Sequence, residues 1–459
     1  MKLECLRLEN FRGFKDLTID FSEKFTVLIG DNGTGKTAIL DGISVALGAF
    51  LLGFEDVPSR HILPDEVRIR RELISKTMTI EPQYPVSISC IGRPSEDENM
   101  ITWIRKLNSK KGRTTRNEAT KIISYAKALR QDVRNGKEVI LPAIAYYGTG
   151  RLWAQKRDKS LDPFATGSRT QGYTDCLDPY SNEKLFTKWL KKMKYVALED
   201  GAEPGELISV KRAVETCLES LVKDNILNKK SKVSLDYSIK ADEVQVTLPD
   251  GKVLPFRMLS DGYRNTIGIV ADIAYRMSVL NPHLEKNASR LTPGIVLIDE
   301  IDLHLHPKWQ RRIVDDLKRT FPNVQFIVTT HSPFIIQSLQ EGELRILKHF
   351  DDVVKYGELS DDNTLVALGD YADKSIEDVT ENVMGVELPQ WSERKTKMYE
   401  AAEKYFKLLQ EMESAPNNQL EKYKDILDEL SKPYAENVAY YAFLNQKRLL
   451  IEEKKRGKQ

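Results

Sequence analysis

The sequence predicts an α/β fold organised around a nucleotide-binding loop, with an antiparallel β section, a helical insertion and a helical C-terminal tail. Three observations carry this. The apolar strand Phe25–Ile29 runs directly into a complete G-x-x-x-x-G-K-T loop, Gly30-Asp31-Asn32-Gly33-Thr34-Gly35-Lys36-Thr37, which opens an apolar-periodic helix over Ala38–Ala46. A second apolar strand, Ile295–Ile298, ends in Asp299-Glu300. A third, Val324–Thr330, ends in His331-Ser332-Pro333, and a helix beginning near Pro307 lies between the two. Such a β-α-β unit is parallel and puts both strand ends on one edge of the sheet.

Before the loop, Lys2–Asn10 alternates in a strand-like way and Leu17–Phe21 follows it, so three strands precede the first helix and an antiparallel β section is attached to the α/β sheet. Tyr84–Ile91 reads as another strand, and the polar stretch from Asn108 to Lys137 as helical in its second half. Val139–Tyr147 is an unbroken apolar run, the pattern of a buried parallel strand. The turn after it, Gly148-Thr149-Gly150-Arg151-Leu152-Trp153, therefore sits where open α/β sheets place ligand contacts. Residues 156–230 read as a mostly polar helical insertion. Val233, Leu235, Tyr237 and Ile239 alternate into a hairpin with Val244–Leu248, and Pro249-Asp250-Gly251 makes a further turn. Beyond about residue 351, Met398, Ala401, Tyr405, Leu408, Leu409 and Met412, then Leu420, Tyr423, Ile426, Leu427 and Leu430, form stripes at helical spacing. The division expected is 1–155 and 231–350 as two parts of one nucleotide-binding domain, 156–230 as the insertion and 351–459 as an assembly or partner-binding tail.

At 459 residues, 41% hydrophobic and 30% charged, the chain has the size of two or three globular domains. Without a signal-like leader or a long uncharged apolar span, it is expected in the cytoplasm with no membrane contact. Cys5, Cys90, Cys176 and Cys217 are scattered with no C-x-x-C pair, so buried reduced thiols are expected rather than zinc or disulfides. A net charge of +1 confines any DNA contact to local basic runs, Arg105–Arg116 (RKLNSKKGRTTR) and the terminal KKRGK. Neither run interleaves aromatics that could stack bases, and a solvated loop and tail are the simpler reading.

The loop glycines let successive N–H groups turn toward phosphate, and the helix N-terminus behind them favours negative charge. Lys36 then reaches the β- and γ-phosphates of ATP and Thr37 ligates Mg²⁺. Asp299 supports the same ion through its water shell, and Glu300 polarises the attacking water. Ser260-Asp261-Gly262 precedes another apolar helix. Alone it reads as a turn or helix cap, but Ser260, the Gly262 backbone and the helix N-terminus also make an anion site. His304 and His306 share a face of an extended segment, yet no ligand set is completed around them.

Taken together, Leu6–Phe14 (LRLENFRGF), the phosphate loop, Leu259–Arg264 (LSDGYR), Ile295–Pro307 (IVLIDEIDLHLHP) and Thr329–Phe334 (TTHSPF) resemble the RecF/SMC-like branch of ABC-type ATPases over residues 1 to about 345. The resemblance implies an ABC/SMC-like P-loop NTPase fold. It implies that ATP is sandwiched in a head-to-tail homodimer, with Ser260, Asp261 and Gly262 facing the γ-phosphate of the other protomer. His331 then falls at the switch histidine and Asp302–Pro307 at the D-loop that crosses the interface. The chain is too short for coiled-coil arms, and its tail lacks the αβ pattern of a Toprim nuclease. Ala145–Trp153, Ser168–Tyr173, Ser375–Asp378 and Val383–Val386 further resemble the PtuA family of Septu antiphage systems and its retron-associated relatives, with the PARIS ATPase a nearby comparison. That resemblance implies a separate effector, for PtuA an HNH nuclease. A RecF-like DNA-repair or DNA-sensing ATPase is the alternative, and a nucleotide-held scaffold a third reading. Two departures stand out. No clear Q-loop glutamine follows the Tyr146-Tyr147 strand, leaving Tyr147, Arg151 or Gln155 to replace it. Asp261 stands where the common signature has glycine, which implies slow hydrolysis and an ATP that holds the dimer together.

Overall fold

A computed structural model describes residues 1–74, 77–152, 168–179, 183–223, 233–248, 250–347, 374–386, 389–414, 420–434 and 436–456. The chain divides into two compact units, Met1–Val379 and Thr380–Gln459. The boundary expected at 351 lies outside the described residues.

In the first unit, strands β1 (Lys2–Phe11), β2 (Phe14–Asp20), β6 (Val86–Arg93) and β7 (Ile101–Leu107) form an antiparallel sheet in the order β2-β1-β6-β7. Alternation is its cause: along β1, Leu3, Leu6 and Leu8 are buried while Glu4 and Arg7 are exposed. A separate hairpin pairs β4 (Ile69–Ile74) with β5 (Thr77–Pro82). Neither β7 nor this hairpin stands out in the sequence, because charged residues such as Arg70, Arg71, Glu72, Arg105 and Lys106 interrupt their apolar patterns.

The second sheet is parallel and five-stranded, in the order β14 (Leu344–Leu347), β3 (Phe25–Gly30), β13 (Val324–Thr329), β12 (Gly294–Ile298), β8 (Ala143–Tyr147). All residues of β8, β12 and β13 are buried, so side chains on both faces of the sheet are covered, which explains their continuous apolar sequences. Register aligns the strand ends, with Ile298 opposite both Tyr147 and Val328, Thr329 opposite Leu28, and Leu347 opposite Gly30. The C-terminal ends carrying Gly30, Gly148, Asp299 and His331 thus lie along one edge.

Helix α1 (Lys36–Leu51) is buried along almost its whole length. It is followed by α2 (Thr120–Arg134), α3 (Glu183–Glu199), α4 (Gly205–Lys223) and α5 (Asp261–Leu280). α4 packs on α5, burying Leu207, Val210, Val214, Cys217 and Leu218 on one side of α4 and Ile267, Val270, Ala274 and Met277 on α5, the 3–4 spacing of a helix face. The short α6 (Ala288–Leu291) precedes β12. The helix expected at Pro307 is broken into α7 (Pro307–Gln310) and α8 (Ile313–Thr320), and α9 (Pro333–Ile336) follows β13. The expected hairpin is a three-stranded meander of β9 (Ser234–Ser238), β10 (Glu243–Thr247) and β11 (Val253–Pro255).

The second unit is helical, over Glu393–Ser414, Leu420–Ser431 and Val438–Arg456. Tyr405, Leu409, Met412, Leu427 and Leu444 make its core, so the stripes read from the sequence supply four of the five core residues. No helix among the described residues is long and apolar enough to cross a membrane.

Candidate functional site

The loop between β3 and α1 depends on its glycines. Gly30, Gly33 and Gly35 have φ of 149°, 87° and 96°, values that cost little only for glycine. A Cβ on Gly30 would stand 2.4 Å from the Leu347 carbonyl oxygen, and one on Gly35 would stand 2.5 Å from the Phe14 ring. Phe14 and Arg12 of the N-terminal motif therefore tie the antiparallel section to the loop, since Arg12 Nη2 also lies 2.7 Å from the buried Asp41 carboxylate on α1. Burial pushes the Asp41 carboxyl up, against the pull of Arg12.

Lys36 is buried, and its Nζ donates to the carbonyls of Gly30 (2.8 Å) and Asp31 (2.9 Å). Burial lowers its pKa, while the carboxylates of Asp299, Asp31 and Glu300 pull the other way. Thr37 Oγ1 donates to Asp299 Oδ2 at 2.8 Å, joining the loop to the acidic strand across 262 residues of sequence. These are hard oxygen donors on one spot, and they fit Mg²⁺.

The other Asp299 oxygen accepts from Thr329 Oγ1 at 2.6 Å, and the same hydroxyl accepts the Glu300 N–H at 2.7 Å. Thr330 Oγ1 donates to Asp302 Oδ1 at 2.5 Å. Glu300 has φ of 48°, a left-handed backbone that costs a residue with a Cβ about 1–2 kcal/mol. Arg151, in the turn Thr149–Leu152, is buried and clamps this strained corner. Its Nη1 donates to the carbonyls of Gly148 (2.9 Å) and Asp299 (2.7 Å), its Nη2 to that of Glu300 (2.9 Å), and its Nε to Asn265 Oδ1 (2.7 Å). Burial lowers its pKa to about 10, against the attraction of Asp299, Glu300 and Asp302, so it stays charged at neutral pH.

Ser260 is the N-cap residue of α5, and its side chain makes no capping hydrogen bond. Asp261 lies 3.4 Å from Arg264 one turn on. A Cβ on Gly262 would stand 2.6 Å from the His304 carbonyl oxygen, and the Tyr263 ring meets Trp309 edge-on at 4.3 Å. The first turn of α5 is thus seated on the 302–309 segment. His306 caps α7 by accepting the Lys308 N–H at 3.3 Å. Among the described residues no cluster of three or more His, Cys, Asp or Glu could hold a metal by itself. His331 follows β13 on the same sheet edge and is half-buried.

Of the three Q-loop replacements expected, Tyr147 turns its hydroxyl to Asp272 on α5 at 2.7 Å, Arg151 binds backbone carbonyls, and Gln155 lies outside the described residues. The motif Ser168–Tyr173 is a brace: Arg169 Nε donates to the Leu280 carbonyl and Tyr173 Oη to that of Pro142, fixing the end of α5 and the approach to β8. Ser375–Asp378 is a capping box, in which Ser375 Oγ accepts the Asp378 N–H and the Asp378 carboxylate accepts the Ser375 N–H. The basic run needs correction. Arg105 is an inward residue of β7, fully buried, with Nη2 3.1 Å from His61 Nδ1, so it is not part of a surface patch. Thr329, although part of the TTHSPF motif, and Asn265 carry no assigned role in the sequence, since neither belongs to a residue type whose chemistry singles it out.

A family model described as an AAA domain matches residues 5–237, just over half of the chain. The chain belongs to the AAA-domain family. A second AAA-domain model matches residues 183–337. Membership makes it an ATPase of the P-loop type, in agreement with the loop and the acidic strand. The "Retron Vc95 probable ATPase" of Vibrio cholerae is 29% identical over 398 residues, 76% of this chain and 74% of the relative. Septu protein PtuA of Bacillus thuringiensis is 25% identical over 419 residues, 88% of this chain and 89% of the relative. The DNA replication and repair protein RecF of an Exiguobacterium species is 49% identical, but over 45 residues, 10% of this chain. The likeness expected to PtuA and to retron-associated ATPases is therefore present over most of the chain.

Proposed function

We propose that this chain binds ATP with Mg²⁺ at the common strand edge, closes with a second copy into a head-to-tail dimer around two nucleotides, and through that state controls a separate nuclease in defence against phage. The observation that carries the reading is the Thr37–Asp299 hydrogen bond, because it brings the two halves of an Mg·ATP site, far apart in sequence, to one point on the edge.

In this reading the loop amides and the N-terminus of α1 bind the phosphates, and Lys36 exchanges its two carbonyl partners for β- and γ-phosphate oxygens. Thr37 and Asp299 hold Mg²⁺, which supplies charge neutralisation between the phosphates. Glu300, held at a fixed angle by its clamped backbone, takes the proton of the attacking water, and His331 contacts the γ-phosphate. Ser260, whose hydroxyl is not spent on capping, and Gly262 cover the nucleotide of the partner copy. Asp261 brings a carboxylate to that surface, with the Arg264 guanidinium 3.4 Å away. Hydrolysis is accordingly slow, and ATP acts chiefly to hold the dimer.

The retron and Septu names of the relatives support a defence role, and the resemblance to PtuA supports an HNH nuclease as the effector. The helical unit Thr380–Gln459 is the proposed assembly surface, with Phe443, Leu449 and Leu450 exposed on its last helix. The burial of Arg105 takes away from a direct DNA contact.

The test is light scattering of wild type, Glu300→Gln and Lys36→Ala with Mg·ATP. Glu300→Gln is expected to run at twice the 52.5 kDa chain mass with ATP retained, and Lys36→Ala to bind no nucleotide and stay monomeric. Deletion of 380–459 is expected to keep the ATP-dependent dimer and lose the nuclease. A Glu300→Gln protein that turns over ATP at the wild-type rate sinks the role of Glu300, and one that stays monomeric with ATP bound sinks the dimer.

A further inference from the structure

The strand-edge corner holding Glu300 and the start of α5 are joined inside one protomer by a buried pair of side chains, Arg151 and Asn265. Arg151 spends Nη1 and Nη2 on the carbonyls of Asp299 and Glu300 and Nε on Asn265 Oδ1. Asn265 in turn donates from Nδ2 to the Leu303 carbonyl at 3.1 Å, and both Arg151 and Asn265 are buried. One residue pair therefore touches the acidic turn, the segment after it and the helix whose N-terminus carries Ser260 and Gly262. Gly262 adds a second point of contact, lying so near the His304 carbonyl oxygen that a Cβ would stand 2.6 Å from it.

We propose that Arg151, acting through Asn265, is a positioning residue that couples the two half-sites carried by each protomer. This rests on the two-copy reading above, in which the acidic turn serves the protomer's own ATP and α5 serves its partner's. A shift of the Asp299-Glu300 corner on nucleotide binding changes the positions of two carbonyls held by one planar guanidinium. The Nε bond leaves the same plane at a fixed angle, so the shift is delivered to Asn265 and the start of α5. Arginine is required for this because its donors form a rigid fork, whereas a lysine ammonium is a point donor that can follow one carbonyl without moving Asn265. The consequence is cooperativity: ATP at one site positions the α5 N-terminus that completes the other.

The experiment is steady-state ATP hydrolysis by full-length wild type, Arg151→Lys and Asn265→Ala, with thermal unfolding and ATP-dependent dimer formation measured alongside. Wild type is expected to show a Hill coefficient above 1. Asn265→Ala, which keeps the Arg151 clamp on the acidic turn, is expected to bring it to 1 while ATP still drives dimerisation. Arg151→Lys is expected to lower kcat at least tenfold with KM changed less than threefold, since the phosphate loop is untouched. A Hill coefficient of 1 in wild type, or an Asn265→Ala protein as cooperative as wild type, overturns the coupling and leaves the dimer standing. Arg151→Lys raising KM at unchanged kcat also overturns it. The Hill coefficient separates this role from a merely structural one, which moves the melting temperature alone, and absence of the wild-type dimer is a failure of the earlier reading.

Discussion

Replacing Thr329 by valine probes the acidic corner with almost no change of volume. Thr329 is fully buried, and its single hydroxyl makes two bonds: it donates to Asp299 Oδ1 at 2.6 Å and accepts the Glu300 N–H at 2.7 Å. Losing a hydrogen bond to a charged group costs about 1.5–3 kcal/mol, and stranding a buried N–H about 1–3 kcal/mol. Asp299 keeps its bond from Thr37, so the combined loss falls at about 3–5 kcal/mol. Thr329→Ser keeps both bonds and sheds one methyl, a cost of about 1 kcal/mol. The quantity to measure is the difference between the two variants, about 2–4 kcal/mol by the same hydrogen-bond magnitudes. Urea unfolding followed by tryptophan fluorescence gives it as a shift in midpoint at a common slope. ATP turnover should fall with valine and survive with serine. If the valine and serine proteins unfold at the same midpoint, the hydroxyl is not holding this corner and the account of Glu300 fails with it.

Two further outcomes follow from the same geometry. Glu300 at φ 48° makes Glu300→Gly more stable than Glu300→Ala by about 1 kcal/mol, although both lack the carboxylate and neither should hydrolyse ATP at the wild-type rate; equal denaturation midpoints would remove the strain. Burial raises all four thiols, Cys5 to about 11, Cys176 to about 12, and Cys90 and Cys217 also upward. At pH 8 the native protein should therefore react with a disulfide reagent at least 100-fold more slowly than the unfolded chain, which should titrate four thiols. A fast-reacting native thiol would contradict the packing around it.

The parallel sheet was legible because its strands are buried on both faces and so read as unbroken apolar runs, and the loop because only glycine tolerates its angles. That Thr37 and Asp299 meet was legible for a chemical reason: both read as oxygen donors to one ion, and the structure joins them by a hydrogen bond. Strand β7 was hidden by its own Arg105 and Lys106, whose charges mark a loop in sequence although Arg105 points inward in the fold. Thr329 and Asn265 were hidden because their partners are backbone groups and other side chains. Many residue types can serve such partners, and only geometry selects among them. Arg151 lies between these cases. Its place after a buried strand marked it, but whether it faced phosphate or carbonyls depended on where the Asp299-Glu300 turn would fall.

The left-handed backbone at Glu300 explains why so many buried bonds converge there. A glutamate in that conformation gives up about 1–2 kcal/mol and would relax unless its two peptide groups were held. The N–H is held from β13 by Thr329, and the carbonyls of Asp299 and Glu300 from the turn after β8 by Arg151. Three adjacent strands, β8, β12 and β13, thereby fix the backbone that carries the Glu300 side chain, and their register has Ile298 opposite Tyr147 on one side and Val328 on the other. A one-residue slip of either neighbour would carry its clamp to the opposite face of the sheet. The apolar runs that specify the register therefore also aim Glu300, and a volume change deep in β8 or β13 should reach turnover before it reaches nucleotide affinity, which rests on the loop after β3.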